Sequence, residues 1–315
     1  MSTNWITGAR GFIGRHLAKR LASEGHTVVG LGHGAWPASE AASWGVSQWV
    51  NGDVTGNNLQ ALRSTYGLPA VLFHLAGGAS VGAALVNPNE DFSRTVESTA
   101  SLLEWLRLVS PQTKLVVVSS AAVYGAGHIG PIPEEAHARP HSPYGYHKYM
   151  MEQLCRSYGT SFQLRSVILR LFSVYGIGLR KQLLWDICCK MQTAKGAIEL
   201  GGTGDELRDW IEIRDAVSAL NIAPLLASAA TPVLNIGTGM ATPIRRIATI
   251  ALGAWHATER LTAMHFNGIA RPGDPFSLQA DIRRMSAHGM TCSVNLETGI
   301  SEYMRWYQTL GSAPP

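Results

Sequence analysis

Cysteine is scarce in this chain: four residues among 315 (Cys155, Cys188, Cys189 and Cys292), none in CxxC spacing. A disulfide scaffold and a thiolate metal site are both excluded, and the thiols read as reduced groups in a cytoplasmic protein. Charge is sparse as well. Charged residues make up 15% of the chain against 46% hydrophobic, and the net charge is only +4. The basic residues form no dense run, so a nucleic-acid partner is not expected and at most an anionic ligand is favoured. No stretch approaches the roughly 18–20 uninterrupted apolar residues of a membrane span, so no membrane partner is expected either. Residues 1–5 lead straight into a strand, with no basic or apolar leader. The eleven histidines fall into no HxxxH or Cys/His cluster, and no metal is expected. A sizeable apolar core remains, in a chain long enough for two domains or one large α/β unit.

What is present is ordered. Residues 4–7 read as a strand, Gly8-Ala9-Arg10-Gly11-Phe12-Ile13-Gly14 as a tight turn, 15–23 as a helix and 26–31 as a second strand. Strand, glycine turn, helix and strand within about 30 residues make a βαβ unit with a right-handed crossover. Glycines at Gly8, Gly11 and Gly14 let the backbone approach a pyrophosphate and bring the N–H groups of the helix to it, which predicts a dinucleotide site. The second strand ends in Gly32-His33-Gly34, without the carboxylate that grips the ribose of NAD. His33 and Arg10 therefore tip the expected cofactor from NAD toward NADP. Asp53 and Val54 close the next strand beside the adenine. Leu75, Ala76 and Gly77 end a buried strand with small residues against which a cofactor can lie.

An apolar strand at 115–118, of the kind found inside a parallel sheet, runs into Ser119-Ser120-Ala121-Ala122-Val123-Tyr124-Gly125. Hydroxyls at the carboxyl end of such a strand stand where ligands bind in open α/β sheets. Past a loop rich in Pro and His, Ser142-Pro143-Tyr144-Gly145-Tyr146-His147-Lys148 opens a helix. Tyr144 and Lys148 are four residues apart and share one helical face. A fixed positive charge stabilises a phenolate, so Tyr144 is expected to have a lowered pKa and to exchange a proton with a carbonyl or alcohol oxygen. Tyr and Lys at this spacing also occur by chance on amphipathic helices. The order of glycine turn, serine strand and Tyr/Lys helix is what gives the pair its weight.

These motifs resemble the extended short-chain dehydrogenase/reductase family, and within it the nucleotide-sugar epimerase/dehydratase/reductase branch. Thr7 to Gly14 matches the TGxxGxxG turn, Ser119 to Gly125 is similar to the serine strand, and Tyr144 with Lys148 fits the YxxxK pair. Leu169-Arg170-Leu171-Phe172-Ser173-Val174-Tyr175-Gly176 resembles the segment beside the nicotinamide, which adds Leu171 to the cofactor positions. Arg208-Asp209-Trp210-Ile211 and Arg271-Pro272-Gly273-Asp274 resemble segments of the sugar-nucleotide domain. The resemblance implies that Tyr144 is the acid/base, that Lys148 holds the nicotinamide ribose, and that Ser120 bonds the reacting oxygen. Ser119 takes a lesser, cofactor-side place. Arg208 and Arg271 would pair with a nucleotide diphosphate, with Arg180, Lys181 and Asp274 completing the substrate set.

Two departures narrow the chemistry. Ala121 and Ala122 stand where dehydratases of the branch carry an Asp-Glu pair, and alanine moves no protons. Ser173 replaces an Asn found in many relatives. The expected architecture is α/β: a Rossmann-type doubly wound parallel sheet over residues 1–172, with a returning strand near 232–236. A smaller sugar-nucleotide domain follows at 173–315. The expected activity is NAD(P)-dependent oxidoreduction at C4 of a nucleotide-diphosphate sugar. A 4-ketoreductase is slightly favoured by the open ribose site, and a 4-epimerase retaining NAD is the alternative. A dinucleotide-sensing regulator without chemistry has no need of a Ser/Tyr/Lys set and is the remote third. A homodimer through the helix beginning at Phe92 and the Tyr144 helix is what the family implies.

Overall fold

Period-two alternation in the apolar strands decides which way each side chain faces. The computed structural model describes residues 2–194, 196–255, 261–269 and 275–311. Its strands, in chain order, are β1 (Thr3–Thr7), β2 (Thr27–Gly32), β3 (Gln48–Asn51), β4 (Val71–His74), β5 (Lys114–Ser120), β6 (Ser166–Leu171), β7 (Ser173–Tyr175), β8 (Gly196–Leu200), β9 (Leu207–Glu212), β10 (Val233–Ile236), β11 (Ala241–Pro243), β12 (Leu261–Phe266) and β13 (Ser277–Leu278). Seven of them form one parallel sheet in the order β10-β6-β5-β4-β1-β2-β3. Trp5, Leu31, Leu72, Leu115, Val117 and Ile168 point to one side, under the helices Ser98–Val109 and Pro143–Phe162. Ile6, Val28, Phe73, Val116 and Leu169 point to the other, under the helices Phe12–Ser23 and Ile213–Ile222. With helices on both faces, this is the doubly wound Rossmann-type sheet that the βαβ pattern predicts.

Strand order reverses between β1 and β4, and ligands bind at that switch point, at the carboxyl ends of the strands. β10 comes back to the main sheet beside β6, with Val233 opposite Ile168. The remaining strands build a second layer: β9 pairs with β11, β13 and β7, and β8 pairs with β12. Their core joins the helices Gln182–Thr193, Ile244–Ala254 and Leu296–Thr309 through Ile187, Cys188, Ile247, Ile300 and Tyr303.

One buried polar chain stitches the switch point together. Ala76 N–H donates to Thr7 Oγ1 (3.2 Å), which lies 2.8 Å from His74 Nδ1, while His74 Nε2 lies 3.0 Å from Thr99 Oγ1. Thr99 spends its own proton on the Thr95 carbonyl (2.6 Å), so it accepts from His74 Nε2–H and the Nδ1 atom accepts from Thr7. Burial pulls the His74 imidazole down to about 3, with the Lys148 charge as a lesser cause. The folded protein therefore binds fewer protons than the unfolded chain between about pH 3 and 6.5, and stability falls as pH drops through that window. From pH 7 to pH 5 the loss from this residue is expected to be about 2 kcal/mol. Urea unfolding of the parent and His74→Asn at the two pH values checks it. An equal pH slope in both proteins would remove His74 as the cause.

Candidate active site

The glycine turn after β1 needs its glycines for two different reasons. Gly8 has φ +72°, and a Cβ there would come within 3.0 Å of the Ala76 nitrogen at the end of β4. At Gly14 a methyl group would overlap the Gly8 carbonyl, so the helix Phe12–Ser23 packs against the turn only without a side chain. That helix has no side-chain N-cap and no acid in its first turn, so its leading N–H groups are left to an anion. Gly8, Arg10, Gly11, Phe12, Ile13 and Gly14 line a cleft of about 1170 Å³ that runs along the carboxyl ends of the strands.

At one end of the cleft the loop after β2 is held by Gly34 N–H on Asn51 Oδ1 (2.8 Å) and by Trp49 Nε1–H on the Gly34 carbonyl (3.1 Å). His33 Nε2 lies 2.9 Å from Asp53 Oδ1, and both residues line the cleft with Arg10 and Val54. The rim thus carries an acid as well as cations. The pairing has no signal in the sequence because the two residues follow different strands. Leu75, Ala76 and Gly77 line the middle, and Leu171 closes it from β6.

The proton-handling residues sit at the end of β5. Ser142 caps the helix Pro143–Phe162 by accepting from Gly145 N–H (3.2 Å), and Pro143 occupies the first turn, where no N–H is needed. Tyr144 thereby enters the cleft one helical turn from Lys148. Ser120 also lines the cleft, beside the Tyr144 phenol. Lys148 is buried; its Nζ donates to the Val118 carbonyl (3.1 Å) and lies 5.9 Å from the Tyr144 ring centre. The expected lowering of the Tyr144 pKa is not what this arrangement yields. Burial pushes the phenol up, the Ser120 hydroxyl pulls it partly back, and the Asp91 charge raises it again. Burial thus favours the phenol over the phenolate at Tyr144. Burial also draws the Lys148 ammonium down to about 8, against the charges of Asp91 and Glu152, which support it.

Ser119 faces the other way from Ser120, as neighbours on a pleated strand must. Its hydroxyl donates to Glu152 Oε1 (2.6 Å) beneath the long helix, and only the rest of the residue lines the cleft. Glu152 in turn forms a bidentate buried pair with Arg170 (2.9 and 2.6 Å).

Toward the second layer the cleft is lined by Ser173, Lys181, Gln182, Arg208 and Trp210. Arg208 is half-buried on β9, where its Nη1 donates to the Leu207 carbonyl (2.9 Å). Arg180, expected beside the substrate, is exposed and absent from the cleft lining, close enough to Arg15 for the two charges to oppose each other. Lys181, expected there with it, does line the cleft and donates to the Ala79 carbonyl (3.3 Å). Arg271 and Asp274 lie outside the described residues.

Comparisons with known proteins agree with one another. A family model described as NAD dependent epimerase/dehydratase family matches residues 5–237. The chain is 29% identical to a UDP-glucose 4-epimerase of Azospirillum brasilense, over 89% of this chain and 84% of that one. It is 28% identical to a probable UDP-glucuronate 4-epimerase of Rhizobium meliloti, over 96% of each. Among solved structures, the UDP-glucuronic acid 4-epimerase of Bacillus cereus in complex with UDP-glucuronic acid and NAD superimposes with a TM-score of 0.86 at 26% identity, covering 98% of this chain and 100% of the other.

Proposed function

Because the chain belongs to the NAD dependent epimerase/dehydratase family, we propose that it inverts the C4 hydroxyl of a nucleotide-diphosphate sugar, with NAD retained through turnover. The observation that carries this reading is the meeting of Ser120, Tyr144 and Lys148 on the dinucleotide cleft, with Ala121 and Ala122 beside them. The cleft fits a dinucleotide: its glycine turn has no room for a Cβ at Gly14, and the helix end above it is uncapped. NAD, when bound, supplies the hydride acceptor and donor at C4. The protein's own work is at the oxygen. Ser120 and Tyr144 hold it: the Tyr144 phenolate takes the proton as the alcohol is oxidised, and the phenol, the form that burial favours, returns it as the ketone is reduced. Lys148 contributes a positive charge beside both. Gly77, Gly78, Ala79, Ala121 and Ala122 are small residues around the same space, which leaves room for a sugar ring to present either face. Ala121 and Ala122 cannot exchange protons with C5 or C6, which speaks against dehydration. Arg208 suits the diphosphate.

The sequence leaned toward the ketoreductase, on the strength of a ribose site without an acid. Asp53, paired with His33 at the same rim, and relatives named as 4-epimerases and solved with NAD now favour the epimerase. NADPH use by a 4-ketoreductase remains the second reading, supported by Arg10 and His33 at that rim. Denaturing the purified protein and identifying the released nucleotide separates them. One equivalent of NAD is expected. An empty protein that binds NADPH far better than NADH would instead establish the reductase.

A further inference from the structure

Asp91 and His147 lie outside the Ser/Tyr/Lys set, yet they are joined directly behind it. Asp91, on the short helix Pro88–Phe92, is 5% exposed, and its Oδ2 lies 2.6 Å from His147 Nδ1, one residue before Lys148. The other carboxylate oxygen rests on Gly78, where any Cβ would overlap it. Gly78 N–H donates to Thr95 Oγ1 (2.8 Å), and a Cβ on Gly77 would come within 3.1 Å of Lys148 Nζ. One carboxylate is thus clamped between the cleft loop at Gly77–Gly78 and the helix that carries Tyr144 and Lys148. The Phe92 ring stands edge-on to the His147 imidazole at 5.4 Å and completes the enclosure.

We propose that Asp91 and His147 form a positioning pair that ties the Gly77–Gly78 loop to the Tyr144 helix and keeps a carboxylate charge against Lys148. His147 holds Asp91 in place by hydrogen bond; Asp91 supplies the field. Of the neighbouring charges only Glu152 also supports Lys148, as the lesser of the two. Glu90, on the same short helix, is exposed and engaged by Arg94 and Asn87. Glu152, on the Lys148 helix, is committed to Arg170 and Ser119. His74 on β4 is neutral and bonded between two threonines. Asp91 therefore acts on both proton-handling residues, supporting the Lys148 ammonium and opposing the Tyr144 phenolate. Removing its charge should move both ionisations to lower pH together, a signature that a merely structural residue lacks.

The inference rests on the proposed epimerase reading only for its turnover readout, so it is tested first on cofactor binding. NADH fluorescence titrations from pH 6 to 10, on protein first freed of its bound NAD, are compared for the parent and Asp91→Asn. The parent should lose affinity above about pH 8, where Lys148 discharges, and Asp91→Asn should lose it about one pH unit lower. The kcat profile with UDP-glucose should shift in the same direction. His147→Ala, which frees the loop without removing the carboxylate, should weaken NADH binding about tenfold, and His147→Gln, which still donates to Asp91, should restore most of it. If Asp91→Asn does not fold, the two His147 variants decide the matter alone. Unshifted binding profiles with only a lower melting temperature, or His147→Ala binding NADH as the parent does, overturn the pair. A shifted binding profile without turnover of any nucleotide sugar would leave the pair standing and remove the epimerase reading.

Discussion

Tyr144→Phe is expected to lower kcat by about 10²- to 10⁴-fold while changing cofactor affinity little. Phenylalanine keeps the ring in its place above Lys148 Nζ and removes only the hydroxyl beside Ser120. The glycine turn, the uncapped helix end and Lys148 are untouched, so the dinucleotide should bind as before. The loss is large because neither Ser120 nor the alanines beside it can take over the proton. Ser120 has a hydroxyl whose oxygen already accepts from Ala122 N–H (3.2 Å), and Ala121 and Ala122 carry nothing that titrates. Steady-state turnover of UDP-glucose or UDP-glucuronate, with NADH titrations alongside, reads both quantities. Turnover within about threefold of the parent would be too small a loss for general acid–base catalysis and would take the proton away from Tyr144.

Glu152→Ala is expected to be the most damaging single change to stability, at about 3–5 kcal/mol. Glu152 is fully buried and accepts from Ser119 Oγ and from Arg170 Nε and Nη2, while Arg170 is itself buried against the Tyr124 ring at 4.7 Å. Truncating the acid leaves a guanidinium in the core with only the Glu134 carbonyl (3.1 Å) as a strong partner. The penalty is the isolated charge, not the lost pair, so Glu152→Leu combined with Arg170→Met should recover most of the loss. Urea unfolding at neutral pH compares the three proteins. A single variant within about 1 kcal/mol of the parent would mean that water or another acid reaches Arg170, contrary to the burial seen here.

The parts of this protein legible in its sequence are those set by short-range geometry. The βαβ unit, the glycine turn and the Tyr144–Lys148 spacing each lie within one supersecondary element, where chain periodicity alone fixes which residues meet. The choice of Ser120 over Ser119 comes from the family resemblance; the pleat says only that the two hydroxyls face opposite ways. The alanines that speak against dehydration are legible as well, since a residue's chemistry is independent of its packing.

What needed the tertiary structure is whatever depends on long-range packing or on burial. His33 and Asp53 pair across two strands, and Asp91 reaches His147 across two helices; neither contact has a local signature. Of the adjacent cations Arg180 and Lys181 only the second lines the cleft, a difference that the sequence does not reveal. The Tyr144 ionisation went against the simple pairing argument for the same kind of reason. A lysine four residues away is a fact of spacing, but the cost of charging a phenol is set by how much water the fold removes from it, and only the packed chain determines that.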